Sequence, residues 1–117
     1  MVMYSNAHLH STFSDGAYSP KALVEIGKSL GHKAMILTDH DTVRGTYFMH
    51  RAARRAGMRS ILGCEFSTRG PEGCEIHLLG FDFNPDNKKW QLFSKRHHLG
   101  LAPLRNIFLR QVLSVGR

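Results

Sequence analysis

Cysteine is scarce: Cys64 and Cys74 are the two thiols in 117 residues. Two are too few for a disulfide framework or a thiolate-rich zinc site, so both are expected to be reduced and to serve packing. No apolar run approaches the roughly 18 residues of a membrane span, and the opening MVMYSNAHLH lacks the basic flank and apolar centre of a signal peptide. The expectation is a cytoplasmic protein with no membrane contact. There is no internal repeat and no low-complexity segment. Acid is missing from one region: residues 88–117 carry seven Lys and Arg and no Asp or Glu, whereas residues 1–87 carry nine basic and nine acidic groups. The net charge of +7 therefore belongs to a basic tail. It says little about the partners of residues 1–87, and the composition change near NPDN (84–87) marks a boundary. At this length the chain makes one domain at most, short of the roughly 200 residues of a full enzyme barrel.

The pattern of residues 1–87 alternates strands and helices. Residues 3–9 suit a strand. SPKALVEIGKSLG supplies Ser19 as N-cap, Pro20 at the first helical position, an apolar face of Leu23, Ile26 and Leu30, and Gly31 as stop. AMILT (34–38) reads as a buried strand and GTYFMHRAARRAG (45–57) as a second helix ended by Gly57. RSILGCEFST is a third strand, RGPEG a turn and CEIHLLGFDF a fourth strand. Strand, helix, strand, helix, strand argues for parallel pairing with right-handed crossovers, an α/β fold.

The chemistry gathers on that scaffold. In NAHLHSTFSDG, His8 and His10 are two apart on an extended segment and project to one face, close enough to reach one ion. His40 follows the second strand and Glu65 the third, at the carboxyl edge where parallel α/β folds build their sites. Asp15 after the first strand and His77 in the fourth can join them. Four imidazoles and two carboxylates suit Mn, Zn or Fe. His-x-His alone is equally an ordinary strand that carries imidazoles; the joint placement of six such residues points to a metal site. Asp39 is either a carboxylate that orients an imidazole or a turn and capping residue. His32, His50, His97 and His98 are read as ordinary surface or packing residues. Arg51, Arg54 and Arg55 form a solvated helix face, and Arg44, which could meet a phosphate, takes no site role.

AHLHSTFSDG, SPKALVEIGKSLGHKAMILTDHDTVRG, GCEFST and IHLLGFDF together resemble the PHP (polymerase and histidinol phosphatase) superfamily, over roughly residues 3–86. The likeness is greatest to its small stand-alone phosphoesterases, similar to 3',5'-nucleoside bisphosphate phosphatases and 5'-3' exoribonucleases. It implies the N-terminal portion of a distorted seven-stranded β/α barrel. It also implies a cluster of two or three divalent ions (Mn, Mg, Zn or Fe) held by His8, His10, Asp15, His40, Glu65 and His77, with the glutamate bridging.

The function expected on that basis is hydrolysis of phosphorylated nucleosides or short oligonucleotides by water activated at the ions, with no protein nucleophile. Two alternatives stand beside it. One is a histidinol-phosphatase-like or polymerase-editing domain; the other is an inactive metal-binding remnant whose basic tail binds nucleic acid. Members of the family also take ligands from a second half, including a late Asp-x-His pair that this sequence does not contain. The chain is accordingly expected to be a truncated domain, 1–87, followed by a tail of uncertain origin, 88–117. Residues 103–115 have helical spacing, and the open strand edges favour self-association.

Overall fold

A computed structural model describes residues 3–70 and 72–84. The elements run β1 (Tyr4–Leu9), α1 (Pro20–Ser29), β2 (His32–Leu37), α2 (Arg44–Arg55), β3 (Gly63–Arg69) and β4 (Glu75–Phe81). The expected alternation is found, with boundaries shifted by a few residues. The helically spaced residues 103–115, the basic tail and His97 and His98 lie outside the described residues.

β1 and β2 pair in parallel, with a register shift between Asn6 and Leu9 that places a bulge around His8. β2 continues toward the run leading into β3 through two parallel bridges, Ala34 to Arg59 and His40 to Glu65. β4 departs from the parallel pattern and pairs antiparallel with β3, from Gly63 opposite Phe81 to Arg69 opposite Glu75. The reason is length: the link from Arg69 to Glu75 is a hairpin turn, and a parallel return needs a crossover of a dozen or more residues.

α1 starts where expected, with the Ser19 side chain accepting from the Ala22 N–H at 3.1 Å and Pro20 at the head. Its buried face differs from the Leu23, Ile26, Leu30 stripe. Ile26 and Leu30 are exposed, and Pro20, Val24 and Gly27 are buried, with Leu23 packed beside them. The cause is Gly27. A Cβ there would lie 2.1 Å from the Met35 Sδ, so the helix comes down on β2 along its glycine side. The core between the helices and β2 is Val24, Met35, Leu37, Met49, Ala53 and Met58. Three methionines fill the irregular gap between two helices and a short strand, each large side chain adding about 1.5–3 kcal/mol of burial. Cys64 and Phe66 form a second, smaller cluster under β3 and β4, with Val43, Leu78 and Phe83 against it.

Past the His40 to Glu65 bridge the chain turns away into α2. Asp41 adopts a left-handed backbone, φ 55. Its N–H donates to the Glu65 carbonyl at 3.0 Å. Its Oδ1 accepts from the Ser67 N–H at 2.8 Å.

Candidate metal centre

The six candidate ligands come together where the β1–β2 and β3–β4 sheets meet at the His40 to Glu65 bridge. They do so from unlike positions. His8 sits in the β1 bulge, a device that re-aims side chains beside functional sites, and His10 and Asp15 follow β1. His40 follows β2 at its bridge to β3. Glu65 is not at the end of the third strand as expected but is the third residue of β3, and His77 lies within β4, opposite Ser67.

Glu65 is the hub. Its side chain is 8% exposed, and its Oε2 lies 3.0 Å from His10 Nε2, 3.4 Å from His8 Nε2 and 3.4 Å from His40 Nδ1. Its Oε1 lies 3.5 Å from His77 Nδ1. Asp15 closes the other side, with Oδ1 3.5 Å from His10 Nδ1 and Oδ2 3.3 Å from His40 Nε2. The His10 and His40 rings stack at 4.4 Å, and His8 and His77 meet them edge-on at 5.2 and 5.4 Å.

Three overlapping groups each bring their donor atoms within 4.8 Å of one another: His8, His10 and Glu65; His10, Asp15 and His40; His40, Glu65 and His77. Two ligands at about 2.1 Å from a tetrahedral ion stand about 3.4 Å apart, so the donor spacing fits divalent coordination. A second observation points the same way. His10 Nδ1 is buried with no hydrogen-bond partner, a vacancy in polar pairing that a cation would fill. The donors are imidazole and carboxylate throughout.

Asp39 takes neither expected role. It is 1% exposed, and its carboxyl faces the loop after β1. Oδ1 accepts from the Ser11 N–H at 2.6 Å and the Ser14 hydroxyl at 2.8 Å, and Oδ2 accepts from the Ser11 hydroxyl at 2.7 Å. The carboxylate that orients an imidazole is Glu75, whose Oε1 accepts from His77 Nε2 at 2.8 Å while His77 Nδ1 faces Glu65. The pair shifts both groups. The hydrogen bond to Glu75 raises the His77 pKa above the usual imidazole value, and the bond to His77 lowers that of Glu75. The signal was present in sequence as Glu-x-His on one face of a strand.

Gly16 answers for the SDG turn. A Cβ there would lie 2.1 Å from the His10 carbonyl oxygen, which is main chain and cannot move aside, so the turn that presents Asp15 closes only over glycine. Its N–H donates to the Ser11 carbonyl at 2.9 Å.

The cysteines divide. Cys64 is fully buried as expected, its thiol donating to the Asp39 carbonyl at 3.4 Å, and burial pushes its pKa far up. Cys74 is exposed beside the hairpin turn, so its expected packing role is not found. His50 and the arginines of α2 are exposed, and His32 Nδ1 lies 3.2 Å from the Gly27 carbonyl, away from the cluster.

Comparison with known proteins places this geometry in context. Residues 6–108 match the PHP domain, a span that reaches into the 88–117 segment. The chain is 40% identical over 89 residues to the 5'-3' exoribonuclease of Haemophilus influenzae, covering 76% of this chain and 32% of that protein. It is 40% identical over 74 residues to the error-prone DNA polymerase of Cutibacterium acnes, covering 62% of this chain and 6% of the polymerase. Among solved structures, an amidohydrolase from Chromobacterium violaceum, determined with sulfate and without metal, superposes with a TM-score of 0.77 at 27% identity, over 82% of this chain and 34% of that one. A protein assigned as a metal-dependent phosphoesterase from Bifidobacterium adolescentis superposes with a TM-score of 0.74 at 30% identity, over 80% of this chain and 33% of that one. The chain thus spans about a third of the exoribonuclease and of both structures. Among the described residues no helix is long and apolar enough to cross a membrane.

Proposed function

Because the chain belongs to the PHP domain family, we propose that it holds a cluster of divalent cations through His8, His10, Asp15, His40, Glu65 and His77 and serves the hydrolysis of phosphate esters of nucleotides or short oligonucleotides. The observation that carries this reading is the sharing of donors: each pair of the three groups has one residue in common, His10, His40 or Glu65. A neutral imidazole offers one lone pair, so each histidine serves one ion. His8 and Glu65 make one set, His10 through its unpaired Nδ1 with Asp15 and His40 a second, Glu65 and His77 a third. Glu65 reaches two of them because its oxygens face opposite sides. Two or three ions are therefore compatible with six residues.

Bound divalent cations supply the electrophilic part of the chemistry, lowering the pKa of water and neutralising phosphoryl oxygens. The residues do the rest. Glu65 and the imidazoles fix where the charge sits, Glu75 holds His77 with Nδ1 turned inward, and the thiols stay outside the reaction. The nucleotide substrate class is favoured by the 40% identity, over 76% of this chain, to an exoribonuclease.

The test is metal content and activity together. The full-length protein, purified metal-free, is expected to take up Mn2+ and to hydrolyse nucleotide or oligonucleotide phosphoesters, with loss on chelation and survival of thiol alkylation. Turnover without any divalent ion, or wild-type uptake no greater than that of the Glu65→Ala variant, would refute the reading.

A further inference from the structure

We propose that Asp39 is a positioning residue for this centre: without binding metal itself, it holds the loop that carries Asp15 in register with His40 and Glu65. The inference rests on the metal reading above. It starts from where Asp39 spends its hydrogen-bonding capacity. Three donors from the Ser11–Ser14 turn converge on its carboxyl at 2.6, 2.7 and 2.8 Å, all out of contact with solvent on the Asp39 side. Asp39 belongs to none of the three donor groups. Its main chain meanwhile accepts from the Glu65 N–H at 3.1 Å, and the next residue is His40. One residue thus ties together the three pieces of chain that bear Asp15, His40 and Glu65.

The need for such a device follows from the loop itself. The Asp15 side chain is 68% exposed and approaches the His10 and His40 rings and, at 3.5 Å, the Ser14 hydroxyl. Between the end of β1 and the start of α1 it has no ladder to hold it. Its backbone is held by the Thr12 N–H donating to the Tyr18 carbonyl at 2.9 Å and by a turn centred on Ser11, whose carbonyl accepts from the Ser14 and Gly16 N–H groups at 3.0 and 2.9 Å and whose hydroxyl accepts from the Phe13 N–H at 3.1 Å. That turn is anchored through the Ser11 N–H and hydroxyl, and both end on Asp39. Gly45 keeps the space open, since a Cβ there would lie 2.9 Å from Asp39 Oδ2.

The chemistry distinguishes acceptors from charge. An asparagine at position 39 can keep its oxygen toward the Ser11 N–H and the Ser14 hydroxyl and donate from its nitrogen to the Ser11 hydroxyl, which reverses. Alanine can do neither. Site-resolved hydrogen exchange in the full chain, without metal, is expected to show the Ser11 and Gly16 amides exchanging about tenfold faster or more in Asp39→Ala. The Met35 amide, bonded to the Arg59 carbonyl in the core, should be unchanged, and Asp39→Asn should stay close to wild type. Titration with Mn2+ is then expected to show affinity reduced by roughly 10–100-fold in Asp39→Ala, with Asp15→Ala/Asp39→Ala no weaker than Asp15→Ala alone. Should Asp39→Ala fail to fold, Ser14→Ala, which removes one of the three bonds, carries the exchange measurement with the same direction. Unchanged exchange at Ser11 and Gly16, equal loss of protection at Met35 in a folded variant, or additive losses in the double variant would overturn the proposal. Absence of Mn2+ binding in the wild type sinks the metal reading alone, because the exchange measurements still decide whether Asp39 holds the loop.

Discussion

In the β1–β2 half of the sheet, His10, Asp15 and His40 sit where the chain has left its strands. In the β3–β4 half, Glu65 and His77 lie inside strands, in an unbroken antiparallel ladder from Gly63 to Arg69. The ladder sets the spacing of Glu65 and His77 with main-chain hydrogen bonds that any sequence would make. The other half holds His8 in the β1 bulge and His40 at a single bridge to Glu65, and for the loop that bears Asp15 it uses side chains instead: Asp39, Ser11, Ser14 and the missing Cβ of Gly16. Loop-borne donors thus cost extra conserving chemistry within the molecule, while strand-borne donors come with the fold.

The comparison breaks first at Glu65, which faces both halves. Glu65→Ala is expected to abolish tight Mn2+ binding, a loss beyond the roughly 10–100-fold that an outer partner costs. Asp15→Ala and His77→Ala, each confined to one half, should lower stoichiometry or affinity partially. Equal, complete losses in all three variants, measured by calorimetric titration, would show that the halves do not act separately. Next in size is Gly16→Ala. The clash is with main chain, so a destabilisation of about 1–3 kcal/mol is expected in thermal unfolding, together with weakened metal binding. An unchanged melting temperature would mean the loop is free to rearrange.

Much of this was legible in the sequence, and the parts that were not share a cause. Element order followed from local signals such as the Ser19 cap, Pro20 and the helix stops at Gly31 and Gly57, whose positive φ (85 and 69) is the backbone a stop requires. Four of the candidate donors, His8, His10, Asp15 and His40, are near strand ends by chain order alone. Periodicity points to the wrong face of α1 because it weighs side-chain hydrophobicity, and the contact is made by a glycine that has none. The role of Asp39 is not legible locally because its partners, Ser11 and Ser14, are 28 and 25 residues away in the chain. Antiparallel β4 was a matter of loop length rather than pattern.

The thiols sharpen the comparison at smaller scale, one at each end of the β3–β4 hairpin. Iodoacetamide is expected to modify Cys74 and spare Cys64 in the folded chain, because only a thiolate reacts and burial holds Cys64 protonated. Peptide mass mapping reads this directly, and labelling of Cys64 at the rate of Cys74 would mean that the hairpin opens at its base.

The smallest effect concerns Glu75 and His77. In the metal-free chain the His77 imidazole should titrate above the ordinary 6.5, and Glu75→Gln should return it toward that value. The sign of the linked stability is fixed by both shifts. The raised His77 contributes fully below 6.5 and fades as pH climbs through its folded value; the lowered Glu75 contributes fully above 4.5 and fades as pH falls through its own. The pair therefore stabilises most between about pH 4.5 and 6.5. Being exposed, it should alter melting little. NMR titration that finds His77 unshifted would remove Glu75 from the site.

Asp41 has a consequence for how the sheet ends. In a continuing parallel ladder the Ser67 N–H would donate to the Asp41 main-chain carbonyl, the next rung after Asp41 N–H to Glu65. The chain has already turned at φ 55, and the Asp41 carboxyl oxygen takes that rung in its place. A side chain thus finishes the sheet where the backbone departs. An unfinished edge offers free N–H groups to any passing strand and is a template for aggregation; the carboxyl closes one such group and puts an acid where an intruding strand would have to lie. Asp41→Ala should accordingly leave the metal-binding side chains intact in sequence yet make the folded chain stickier, read as concentration-dependent growth in light scattering.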